Sequence, residues 1–202
     1  MSTGGAGVVR RLAALATARL TTSVVRGVLD DDPPGGARQW ERTNHRGEAV
    51  SLLGGPAVAA GVLAGSLVGA PSVRDAAALT VATTSGTAFG LVDDLTEDRE
   101  GEVRKGLRGH LGALARGEVT TGGLKVLGIG AGALVAAALS RPHDPLPSGR
   151  GGRALVRLTD VAMDGALIAA TANLVNLLDL RPGRALKAAA LAAAPAGVLG
   201  GR

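Results

Sequence analysis

The sequence predicts an all-α, polytopic membrane protein with five or six transmembrane helices. Three observations carry that expectation. Uncharged runs recur along the 202 residues, notably 49–73 and 76–92, and the run 119–140 is broken only by Lys125. A hydrocarbon core of about 30 Å takes roughly 20 apolar residues in helical form, and the longer runs reach that length. The chain is also 46% hydrophobic with a mean hydropathy of +0.27, yet it has one Phe, one Trp and no Tyr. An interior short of aromatics and rich in Ala, Gly, Leu and Val suits helices that approach closely through small residues in a bilayer.

The elements follow in order. Segment 5–29 is apolar but interrupted by Arg10, Arg11, Arg19 and Arg26, so it spans or lies in the interface as an amphipathic helix. Those scattered arginines, with no cleavage pattern after them, set it apart from a secretory signal. Residues 30–48 contain Pro33-Pro34-Gly35-Gly36 and read as a loop, Asp30–Asp32 included. The run 49–73 follows as a spanning segment. Within it Gly61, Gly65 and Gly69 recur every four residues and line one helix face for close packing. Residues 76–92 form the next apolar segment. The stretch 93–118 is the most charged part of the chain. There Val103, Leu107, Leu111 and Leu114 oppose Arg104, Lys105 and Arg108, the pattern of a surface helix. Segment 119–140 is followed by a loop with Pro142, Pro145 and Pro147. Segment 154–178 carries Arg157, Asp160 and Asp164 in its first half, and 185–201 closes the chain. No boundary or repeat divides the sequence, so residues 1–202 are expected to form one integral-membrane domain.

Charge places the loops. Residues 30–48 hold Arg38, Arg42 and Arg46, and 93–118 hold Arg99, Arg104, Lys105, Arg108 and Arg116. The positive-inside rule makes both cytoplasmic if 5–29 spans. The loop 140–153, with Arg141, Arg150 and Arg153, opposes the same rule on the other side. With no Cys, the chain has no disulfide, thiolate metal site or catalytic thiol. The net charge of +5 is modest. Neither a dense basic stripe nor stacking aromatics are present, so nucleic acid is not an expected partner.

Two apolar segments end in polar sets. One closes on Phe89-Gly90-Leu91-Val92-Asp93-Asp94, the other on Asn173-Leu174-Val175-Asn176-Leu177-Leu178-Asp179. Ionisable groups at such depth are expensive and point to function. Adjacent carboxylates at a helix end can divide two tasks. One holds Mg²⁺, which takes one or two carboxylates plus phosphate oxygens, and the other orients or deprotonates an attacking group. Asn173, Asn176 and Asp179 lie at i, i+3 and i+6, roughly along one stripe. Asp160 and Asp164 are read as helix-end acids paired with Arg153 and Arg157. Lys125 is either a snorkelling helix-end lysine or a phosphate ligand, and His45 is a solvated loop residue.

These residues resemble the polyprenyl-phosphate glycosyl-1-phosphate transferases, which include phospho-N-acetylmuramoyl-pentapeptide transferase and the undecaprenyl-phosphate N-acetylglucosamine-1-phosphate transferases. The likeness runs from about Asn44 to Ala185. Gly90–Asp94 is similar to the family's Gly-x-x-Asp-Asp ending. Asn173, Asn176, Leu177, Asp179 and Gly183 are similar to its Asn-x-x-Asn-Leu-x-Asp-Gly-x-Asp-Gly ending. Leu53-Gly54-Gly55-Pro56 is similar to its Gly-Gly turn, and Lys125 to its lysine before the fourth helix. The resemblance implies that Asp93, Asp94 and Lys125 are catalytic and that Asn173 and Asn176 bind substrate. It also implies that Asp94 and Asp179 hold Mg²⁺, with Mn²⁺ as a substitute. The expected partners are the membrane, a polyprenyl phosphate and a nucleotide-sugar such as a UDP-sugar, with a homodimer as candidate assembly. The expected location is the plasma membrane, multi-pass, in cell-envelope glycan synthesis. There are departures. Leu180 and Pro182 replace a Gly and an Asp, and the link 97–117 is long. Only His45, His110 and His143 are present, and the sequence ends at Arg202 before the family's later helices. A non-catalytic membrane homologue is therefore the first alternative. A membrane prenyltransferase using Asp93–Asp98 and Asp160/Asp164 is the second.

Overall fold

The computed structural model describes residues 3–44, 46–96, 112, 115–117, 120–140, 150–179 and 183–199. His45, His110, His143, Leu180, Pro182 and most of the expected surface helix 103–115 lie outside the described residues. Six α-helices appear among them: α1 (Thr3–Asp31), α2 (Gly54–Gly69), α3 (Val73–Thr96), α4 (Thr121–Ser140), α5 (Arg150–Leu178) and α6 (Arg184–Leu199). Every apolar segment of the sequence supplies one. Three of the helices are long and apolar enough to cross a bilayer, over Gly5–Asp31, Gly122–Ser140 and Ala154–Leu178.

The boundaries differ from expectation in four places. The first is the loop 30–48, which contains a 3₁₀ turn (Ala37–Trp40) and strand β1 (Glu41–Thr43); β1 pairs antiparallel with β2 (Ala49–Ser51). Asn44 builds the turn between them. Its Oδ1 accepts the amides of Arg46 at 2.9 Å and Glu48 at 3.0 Å, and Gly47 takes φ 80°. Three-residue strands are too short for an alternating pattern to register in the sequence.

Secondly, Asp30 and Asp31 belong to the last turn of α1 rather than to a loop, and Asp30 pairs with Arg26 at 2.7 Å. Thirdly, the apolar run 49–73 is not one helix. Its start is β2, and its end is set by Pro71, which pushes Ala70 to an extended ψ of 135°. The 16 residues of α2 span about 24 Å, short of a 30 Å core. Ser72 then starts α3, its Oγ accepting the Asp75 amide and donating to the Asp75 carboxylate. Fourthly, α3 runs on to Thr96, so Asp93 and Asp94 lie inside its final turn and not in the loop 93–118.

Packing inverts the pattern of a water-soluble protein. The buried apolar residues are Ala57, Ala78, Ala133, Ala136 and Ala137, joined by Trp40 and Leu53. Large side chains such as Leu12, Leu15, Leu20, Leu158, Met163 and Leu167 point outward and are more than half exposed. In water such a surface would aggregate. In lipid it costs nothing, and small residues inside let the helices meet. The chain is an all-α membrane protein.

Contacts run between sequence neighbours, α1 on α2, α2 on α3, α3 on α4 and α4 on α5, with α6 touching α5 more thinly. Helix α4 is the most buried of the three bilayer-length spans. Of its span 28% is buried, against 0% in α1 and 6% in α5. Glycines set the close approaches. A Cβ on Gly65 would lie 2.8 Å from the Ala18 Cβ, and one on Gly69 would lie 2.9 Å from that of Ala14. At Gly61 it would strike the Thr22 hydroxyl. The stripe read from the sequence is thus the face that receives α1. Gly128 and Gly132 of α4 receive Phe89 and Ser85 of α3 in the same manner.

Candidate functional site

The register between α3 and α4 determines what happens at the end of α3. Ser85 meets Gly132 and Phe89 meets Gly128; one turn further, Asp93 meets Lys125. The Lys125 ammonium donates to Asp93 Oδ2 at 2.7 Å and to Asn176 Oδ1 at 3.2 Å. These three residues come from α3, α4 and α5, so one cation joins three helices. The side chains of Lys125 and Asp93 are 18% and 32% exposed, which partly shields the pair from solvent.

Local sequence makes this junction possible. Thr120 caps α4, its Oγ1 accepting the Gly123 amide at 3.0 Å and its carbonyl accepting Leu124 N–H at 2.8 Å. Lys125 therefore stands little more than one turn inside α4, opposite the C-terminal ends of α3 and α5. Both ends carry partial negative charge from unpaired carbonyls, and an ammonium between them favours α3 and α5 while standing against the positive N-terminal end of α4. Lys125 does not snorkel into water.

Asp94 lies on a different face of α3. Successive helical side chains are about 100° apart, so the stripe of Ser85, Phe89 and Asp93 faces α4 while Gly86, Gly90 and Asp94 turn toward α2. There a cavity of about 230 Å³ is lined by Leu52, Gly55 and Pro56 on one side and by Gly86, Gly90 and Leu91 on the other. Thr87 and Asp94 complete it. Arg42, on β1, donates from Nη2 to the Asp94 carbonyl at 3.1 Å and from Nη1 to the carbonyls of Gln39 and Glu41. It ties the hairpin to the end of α3 and supplies a donor that the helix end lacks. Trp40 anchors the other side of the hairpin. Its indole donates to Pro34 O at 2.7 Å, and its carbonyl accepts the Leu52 amide at 2.8 Å.

Of the residues expected at the site, the structure brings Asp93, Lys125 and Asn176 into direct contact. Asp94 is adjacent on α3. Asn173, one turn before Asn176 on α5, and Asp179, just past the helix end, are both exposed. The Asp179 amide still bonds to the carbonyls of Val175 and Asn176, closing the helix. The two polar endings thus share one end of the bundle, where β1 and the start of α2 also lie. Asp160 and Asp164 do not join them. Each is half-buried and engaged in a polar or electrostatic contact, but they sit about 18–24 Å of helical rise from Asn176. A pyrophosphate bridged by Asp93 and by Asp160 or Asp164 would have to span that depth.

No three carboxylate or histidine side chains cluster as a metal cage among the described residues. The donors at this end are all oxygen: Asp93, Asp94, Asn176 and Asp179. That chemistry fits a hard cation completed by substrate phosphate oxygens, which takes one or two carboxylates from the protein. Arg42 and the hairpin escaped the sequence reading. Their signal is the Asn44–Gly47 turn, with its short polar side chain followed by a glycine. No family model, curated protein or solved structure matches the chain.

Proposed function

We propose that the chain is a multi-pass plasma-membrane phosphotransferase. It moves a sugar-1-phosphate from a nucleotide-sugar to a polyprenyl phosphate in cell-envelope glycan synthesis, with Mg²⁺ or Mn²⁺. The observation that supports this most is the Lys125 ammonium shared by Asp93 and Asn176. It unites the two polar helix endings whose wording resembles the polyprenyl-phosphate transferases. In the reaction an oxygen of the lipid phosphate forms a bond to the sugar-bearing phosphorus. The bond from that phosphorus to the nucleoside monophosphate breaks, and the monophosphate leaves with the electron pair.

Phosphoryl transfer asks a protein for positioning and charge neutralisation. Lys125 would exchange one of its present partners for a phosphate oxygen, while Asp93 stays beside it and limits its movement. Asp94 would orient the lipid phosphate. Asn173 and Asn176 would offer amides to the nucleotide, and Asp94 and Asp179 would hold the cation. When bound, that cation neutralises charge on the phosphates.

Turnover of polyprenyl phosphate with a panel of UDP-sugars, read as nucleoside monophosphate release, tests the reading. Asp93→Asn and Asp94→Asn should each lower the rate by roughly 10²–10³, the usual cost of one well-placed electrostatic contact. Asp160→Asn should leave it near wild type. Activity that survives both site substitutions would place the chemistry elsewhere.

One observation favours the non-catalytic homologue instead. Lys125 already bonds two partners, which is what a purely structural clamp on α3 and α5 requires. Absence of turnover across the panel would select that reading.

A further inference from the structure

We propose that the cleft between the start of α2 and the end of α3 is a slot for one apolar chain. It seats the carbons next to the head group of the lipid phosphate. The identity of that head rests on the proposed function; the slot itself rests on the cleft.

The walls argue for an occupant. Gly55 lies on one wall and Gly86 and Gly90 on the other. A Cβ built on any of the three meets no atom within 4 Å, whereas one on Gly61, Gly65, Gly128, Gly132 or Gly165 would collide with a neighbouring helix. Nor does the backbone call for glycine, since the positive-φ glycines are Gly35, Gly36, Gly47, Gly117 and Gly183. At Gly55, Gly86 and Gly90 the missing side chain therefore makes neither a helix contact nor a turn. It leaves volume.

The shape and polarity of that volume narrow the choice. About 230 Å³ is many times the ~10–15 Å³ that one water needs, and the space lies between two helices in contact. It suits one chain rather than the paired chains of a bilayer phospholipid. Leu52, Pro56 and Leu91 make the walls apolar, and the Thr87 hydroxyl is already donated to the Thr83 carbonyl at 2.7 Å. The polar end is Asp94, where the Arg42 guanidinium donates to the backbone. An occupant with an apolar tail and a polar head matches both ends. Seated there, it carries its head to the end of the bundle that holds Asp93, Lys125 and Asn176.

The chain's single tryptophan makes the test direct. Trp40 is 8% exposed, and its carbonyl accepts the amide of Leu52, a wall residue. The full chain in detergent is titrated with a single-chain alkyl phosphate brominated on the carbons nearest the head, and Trp40 quenching is read. The brominated alcohol of the same chain and inorganic phosphate are the controls. Quenching should saturate with the brominated phosphate, and inorganic phosphate should not change the emission. Gly90→Leu, whose Cβ meets no atom within 4 Å, puts a side chain into the slot and should raise the half-saturation concentration on the order of tenfold or more. Gly130→Leu, also in open space but on α4, should behave as wild type. Equal quenching in all three proteins, or none in the wild type, overturns the slot. Equal quenching by the alcohol overturns recognition of the head. Gly90-sensitive quenching without turnover would remove the reaction and keep the slot. Turnover with no quenching would do the reverse.

Discussion

Removing the Lys125 ammonium should destabilise the bundle at the end where the polar residues meet. The magnitude follows from geometry. Exposed ion pairs contribute about 0.2–1 kcal/mol, and breaking a fully buried pair costs about 3–5 kcal/mol. With exposures of 18% and 32% and a 2.7 Å contact, the Lys125–Asp93 pair falls between, at about 2 kcal/mol. The 3.2 Å bond to Asn176 adds about 1 kcal/mol. Lys125→Met should therefore cost about 3 kcal/mol, because it leaves a partly shielded carboxylate without its cation. Asp93→Asn should cost less, about 1–2 kcal/mol, since the ammonium keeps Asn176 and gains an amide oxygen. The double substitution should cost less than the two singles together, with a coupling of about 1–2 kcal/mol. Reversible unfolding in mixed micelles, followed by helical ellipticity, measures all four corners of the cycle. Additivity within about 0.5 kcal/mol would refute the pairing.

Two further outcomes test the frame around that site. Gly128→Ala forces the Phe89 ring aside and should cost about 1–3 kcal/mol as an overpacked contact. Gly130→Ala, with nothing within 4 Å, should stabilise by up to about 1 kcal/mol through helix propensity; equal effects at the two positions in the same unfolding assay would refute the α3–α4 register. The protein should sediment with membranes through high-salt and alkaline washes and need detergent for extraction, and recovery in plain buffer would contradict the outward-facing Leu and Val surface.

Some of this architecture is written locally. Six apolar segments become six helices because length and the absence of charge are properties of a run, independent of its neighbours. The Gly61–Gly65–Gly69 face is legible for a similar reason: a four-residue spacing stays on one side of a helix wherever the helix goes. The ends of 49–73 were less legible. Hydropathy registers no difference between Ala49 in a strand and Ala57 in a helix, while Asn44 and Pro71 act through hydrogen bonding and sterics.

By itself, then, the sequence determined the class of the protein, the helical segments, and which helix ends carry carboxylates and amides. Tertiary structure alone decided how those groups divide. Asp93 and Asp94 are equivalent as letters, yet one meets Lys125 and the other lines the cleft beside α2. Asp160 and Asp164 look like a second acidic motif until the depth of α5 carries them away from the first. The physical reason is register. Which residue stands opposite which depends on glycines such as Gly128 and Gly132 admitting the side chains of a neighbouring helix. That fit is a property of two surfaces together, and neither segment encodes it alone.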